Sequence, residues 1–136
     1  MASDVRFSTT LTNDFLDQVD IRIGSGGFLR FYTGTKPATA DAALSGNTQL
    51  AELPLSSVSF GVASGRTITA AAITTDTTAD ATGTATWATL VTSAGVRHVD
   101  LTVGEAADSA DITVDNKAFQ AGADIAVTSL TLSIAL

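Results

Sequence analysis

Few residues in this chain are of types that can do chemistry, and their spacing is informative. His98 is the single histidine and stands two residues from Asp100, so with any of the serines it could complete a Ser-His-Asp set. The chain contains no GxSxG nucleophile elbow, and one imidazole on a polar strand face reads as a surface residue rather than a base. Asp76 with Asp80, and Asp108 with Asp111 and Asp115, could offer loop carboxylates to Ca²⁺. Neither spacing follows the EF-hand loop, and both read as solvated acidic loops. Gly24-Ser25-Gly26-Gly27 invites comparison with a phosphate loop. Phosphate loops have a strand before the glycines and a helix after them; here that order is reversed, so the tract is a turn. Lys36 and Lys117 could enter an isopeptide bond with an Asn or Asp, but both sit in loop-like contexts. Trp87, the only tryptophan, is either a core or interface residue or a platform for stacking a sugar; its Ala and Thr neighbours favour the first. No catalytic residue, cofactor site or metal site is assigned.

The elements that would have to position such residues are mostly strands. A helix is expected from the pattern over residues 8–19, ending near Asp20 or Ile21, with Ser8, Thr9 or Thr10 as N-cap and Phe7 as a hydrophobic staple. Leu11, Phe15 and Val19, with Leu16, form its expected core stripe, and Asn13, Asp14, Asp17 and Gln18 its wet face. Three aspartates in its second half oppose the macrodipole, so this helix must depend on tertiary packing. Residues 28–33 form a strand with Leu29 and Phe31 inward; Phe28, Arg30 and Tyr32 on the other face, together with Trp87 and Leu136, are candidate interface residues. Residues 49–55 alternate again, with Pro54 marking an edge strand.

The Thr- and Ala-rich run 66–103 is the longest strand signal. Residues 67–73 are apolar on both faces and predict a strand covered on both sides; residues 84–92 and 99–103 flank a hairpin turn at Ser93-Ala94-Gly95. Near the C-terminus the apolar parity shifts, with Ile125 and Val127 odd and Leu130, Leu132, Ile134 and Leu136 even, which predicts a bulge near Thr128 or Ser129. Leu136, inside the apolar stripe, predicts a packed terminus. The fold expected is all-β: an antiparallel β-sandwich or jelly-roll-like domain over 1–136 with one short N-terminal helix, 1–24 forming an arm and helix packed on it.

Composition narrows the partners. The 136 residues suffice for one domain with a real core, and the absence of cysteine excludes disulfides and thiolate zinc sites. A net charge of −7, with seven basic residues scattered singly, argues against nucleic acid. No window reaches the ~20 apolar residues of a membrane span, and the N-terminus has no apolar signal region. Charged residues make up 15% of the chain, against about 25% in average globular usage, so much of the surface must be Thr, Ser, Ala and Gly, which suits packing against other subunits.

Four segments carry a resemblance. GFLRFYTGTKP (27–37), ALSGNTQLAEL (43–53), TADATGTATWATLVTSAG (78–95) and AGADIAVTSLTLSI (121–134), taken in this order, resemble small structural proteins of tailed bacteriophages and prophages. The likeness runs from the helix to the last strand and consists of turns and strand patterns. It implies a non-enzymatic virion component assembled in the host cytoplasm, foremost a capsid decoration protein that self-associates and binds the major capsid or other virion proteins. A neck, tail or fibre-associated protein is the alternative within that class, and a carbohydrate-binding or adhesin module the alternative outside it.

Overall fold

A computed structural model describes residues 4–127 and 129–134. The described residues form one helix and nine strands in the order α1 (Thr9–Ile23), β1 (Phe28–Tyr32), β2 (Gln49–Pro54), β3 (Thr67–Thr69), β4 (Gly83–Thr84), β5 (Trp87–Val91), β6 (Arg97–Gly104), β7 (Ile112–Thr113), β8 (Ala118–Phe119) and β9 (Ser129–Ser133). Seven of them make one sheet, ordered β2-β1-β5-β6-β7-β9-β3, and β4 pairs with β8 in a small ribbon. The sheet is mixed rather than antiparallel throughout, because β7 runs parallel to β6. The short connection 105–111 carries the chain back to the start of β6's neighbour instead of reversing it as a hairpin would.

The two ends of this sheet meet. Just past β2, Leu55 bridges Ile73, four residues beyond β3, and the Thr74 amide donates to the Pro54 carbonyl at 2.9 Å. The sheet therefore curls around one core of Leu29, Phe31, Leu53, Leu90, Ile112 and Leu130, all at most 2% exposed. Phe119 of the β4–β8 ribbon closes one side, edge-on to Phe31 with ring centroids 5.2 Å apart. Burying such a set of side chains is worth on the order of 2 kcal/mol each before conformational entropy is charged.

Leu29, Phe31, Ala51, Leu53 and Leu55 are buried as their alternation requires, and Pro54 lies exposed on an end strand of the sheet. Leu50 is also fully buried, although it belongs to the opposite parity. The cause is a bulge: Phe31 pairs with Ala51 and Tyr32 with Gln49, which leaves Leu50 as the extra residue. The expected double coverage of 67–73 is not found there. Only Ile68 is fully covered in β3, and Thr69 and Ala72 are exposed. Double coverage belongs to β5, where all five residues are buried, because the core packs on one face and Arg97 with the loop 33–48 covers the other. Ile125, Leu130 and Leu132 are all buried across the parity shift; of the predicted bulge site, Ser129 opens β9 opposite Thr113, while Thr128 and the terminal Leu136 lie outside the described residues.

Helix α1 starts where the sequence places it. The Ser8 hydroxyl accepts from the Leu11 amide at 3.1 Å. It runs two or three residues further than expected, to Ile23, and stops at Gly24 with φ 67°. Gly27 then passes so close to the helix that a Cβ there would lie 2.4 Å from Ile23 Cγ2 and 2.8 Å from the Val91 carbonyl oxygen. The carbonyl belongs to a core strand and cannot yield. Gly27→Ala is expected to destabilise by about 1–3 kcal/mol, read as a lowered thermal midpoint, while Gly61→Ala, where the nearest atom is 3.8 Å away, should stay close to the parent.

Candidate interaction surface

The face of the sheet opposite the core carries Arg30, Tyr32, Trp87, Thr89 and Asp100 in neighbouring registers. Trp87 is fully buried and Tyr32 is 5% exposed. Their rings stack with centroids 4.8 Å apart and planes 17° from parallel, and the Trp87 indole N–H donates to the Thr33 carbonyl at 3.2 Å. The guanidinium of Arg97 lies over the Trp87 ring, 5.4 Å from its centroid. Arg97 also donates to both carboxylate oxygens of Asp100 and to the carbonyls of Ala42 and Thr39. The loop 33–48 is thereby tied down over this face. It is further fixed by Asn47, whose side-chain amide donates to the Thr33 and Thr35 carbonyls.

Of the interface residues expected from sequence, Tyr32 and Trp87 are thus enclosed within the chain. Phe28 and Arg30 are half-buried, and Arg30 is paired with Glu52 at 2.6 Å. Leu136 is outside the described residues. A register shift in the β5–β6 pairing makes His98 the extra residue and leaves it exposed, while Asp100, its imagined partner, is held by Arg97.

The aspartates of the loops serve as acceptors for the chain's own donors. Asp76 accepts from the Glu52 and Thr78 amides, and Asp111 from the Thr102 amide and hydroxyl. Asp80 accepts from the Gln49 side chain. Asp108 accepts from the Glu105 amide and from Lys117, and these two contacts, in that order, hold its carboxyl below the usual carboxylate range. Among the described residues no three His, Asp or Glu side chains are gathered as a metal cage.

Helix α1 departs from its expected orientation. Its buried side is Thr12, Leu16 and Ile23, with Val19 packed beside them. Leu11 and Phe15, expected in the core, are 41% and 45% exposed. Asn13 and Asp17, expected in water, are half-buried. With Asp20 they form a line of acceptors for the loop that precedes β3: Asp20 takes the Ser59 and Phe60 amides, Asp17 the Ala63 amide and Asn13 the Arg66 amide, at 2.6–3.0 Å. These amides lie where no strand can pair with them, and the helix turns its polar side chains to them because an unpaired donor there would cost more than exposing a Leu and a Phe. Asp20→Ala should cost about 1–3 kcal/mol and speed hydrogen exchange at the Ser59 and Phe60 amides, with β5 amides unaffected under native conditions.

The exposed side that results is a ridge. Phe7, Leu11 and Phe15 follow one another at steps of four, and the Phe7 and Phe15 rings meet edge-on at 5.5 Å. The arm that carries Phe7 is anchored by Arg66, whose guanidinium donates to the Phe7 carbonyl and to the Thr12 hydroxyl. Repetition of aromatic and leucine residues every fourth position, beside a second apolar set at 16, 19 and 23, is the sequence signal for two stripes on one helix. No family model, no curated protein and no solved structure matches the chain.

Proposed function

We propose that this chain is a non-enzymatic structural protein of a tailed-bacteriophage particle, a capsid decoration protein that self-associates and docks on other virion proteins. The sequence resemblance supplies the class. The observation that carries an assembly role is the apolar ridge of Phe7, Leu11 and Phe15, held by Arg66 and left exposed by the described residues. The strand-rich, curled mixed sheet, with a weakly charged Thr- and Ala-rich exterior and a single small core, suits a unit repeated many times on a shell. Enclosure of Trp87 removes the stacking platform on which a carbohydrate-binding reading depended.

Mass spectrometry of purified particles from the phage or prophage that encodes the chain tests this. Many copies per particle, lost together with the capsid fraction on dissociation, are expected. Copies that follow the neck or tail fraction would move the assignment there, and absence from particles would overturn it.

A further inference from the structure

We infer that the ridge on α1 is the seat of a second copy of this chain, packed antiparallel across a two-fold axis at Leu11. This deepens the assembly reading and rests on it only for its biological setting. Phe7, in the arm before the helix, already packs edge-on against Phe15 of its own chain, so with Leu11 they form one apolar patch, and a two-fold reversal of a second copy lays that patch on its own equivalent. The charges at the ridge's borders agree with the same reversal. Arg6 flanks one end and, among the described residues, its side chain is bonded to Asp4 beside it, in a pair whose side chains are 84% and 86% exposed. Asp14 flanks the other end, exposed and with no ion-pair partner among the described residues. Antiparallel packing brings each Arg6 toward the other copy's Asp14, whereas parallel packing sets Arg6 against Arg6 and Asp14 against Asp14 in chains that each carry −7.

The area sets the strength. Two half-exposed aromatic rings with Leu11 and Val5 offer roughly 300–400 Å² per copy, about half of the 800 Å² that a standard interface buries on each partner. The pair is therefore weak in dilute solution and is consolidated where many copies are held close together.

Since the chain has no cysteine, a single introduced thiol reports the axis cleanly. Leu11→Cys should form a disulfide-linked dimer on mild oxidation at least ten-fold faster than Leu44→Cys, which starts from the same 41% exposure elsewhere on the surface. Sedimentation of the cysteine-free chain should show a monomer–dimer equilibrium at about 10 μM to 1 mM, abolished by Phe15→Asp with the Trp87 emission of the folded state unchanged. Arg6→Asp or Asp14→Arg alone should weaken it about two- to five-fold, and the two together should restore it. Equal oxidation of the two cysteine variants, with a monomer throughout, would overturn the pairing. If Phe15→Asp also loses incorporation into particles in that case, the ridge belongs to a different virion protein and the proposed function stands. Dimerisation through Leu11 in a chain absent from particles would leave the pairing and remove the virion assignment.

Discussion

Replacement of Trp87 by Ala is expected to cost about 3–5 kcal/mol, the range for truncating a fully buried large aromatic side chain. Three contacts go with the ring: the stack on Tyr32, the cation–π contact with Arg97 and the indole hydrogen bond to the Thr33 carbonyl. The cavity opens between β5 and the loop 33–48, on the face away from the main core, so the backbone of β5 has the sheet on both sides and cannot collapse into it. Urea unfolding followed by circular dichroism should show a lower midpoint with an unchanged slope. Trp87→Phe keeps the stack but not the indole donor and should recover most of the loss. A cost under 1 kcal/mol for Trp87→Ala would show that the loop does not bury this ring in solution.

Asp100→Ala is the second large effect. Arg97 and Asp100 side chains are 12% and 7% exposed, so removing the carboxylate leaves a guanidinium enclosed between the Trp87 ring and the carbonyls of Thr39 and Ala42. Breaking a buried pair in this way costs about 3–5 kcal/mol, most of it the penalty of the orphaned charge rather than the worth of the pair. The sign of the double replacement separates those terms. Arg97→Met with Asp100→Leu should be less damaging than Asp100→Ala alone, and a four-variant cycle measures the coupling. Limited proteolysis gives an independent readout: because Arg97 bonds the loop at Thr39 and Ala42, cleavage within 38–46 should accelerate in Asp100→Ala and much less in Glu52→Ala, whose Arg30 partner is more exposed.

How far the fold can be read from the sequence depends on whether a local pattern had a single solution. Ser8 and Gly24 bracket α1 because a hydroxyl acceptor and a left-handed glycine act within one turn of the helix. Ser93-Ala94-Gly95 closes the β5–β6 hairpin for the same reason, with Gly95 at φ 82° and its amide bonded to the Thr92 carbonyl. Leu11 and Phe15 were misplaced because helical spacing permits two apolar stripes, and the choice between them is made by Ser59, Phe60, Ala63 and Arg66, whose amides are some forty to fifty residues away and invisible to periodicity. Burial of β5 rather than β3 reflects which strand the loop 33–48 closes over, which no composition encodes; Thr and Ala fit either position. The interface candidates Tyr32 and Trp87 were legible as amphipathic aromatics on one strand face. Their enclosure depends on a loop anchored by Arg97, a long-range contact with no signature in the residues 38–48 themselves.

The meeting of the sheet's two ends bears on how such a chain tolerates crowding. The outer side of β2 is bonded to the segment 73–80 through Ile73, Asp76 and Asp80, and the outer side of β3 to residues 59–64. A strand-rich protein with little charge would ordinarily risk edge-to-edge polymerisation, because unpaired amides and carbonyls template another chain's strand. Here both terminal strands are already occupied by the chain's own loops, so copies can be concentrated side by side while remaining separate folded units.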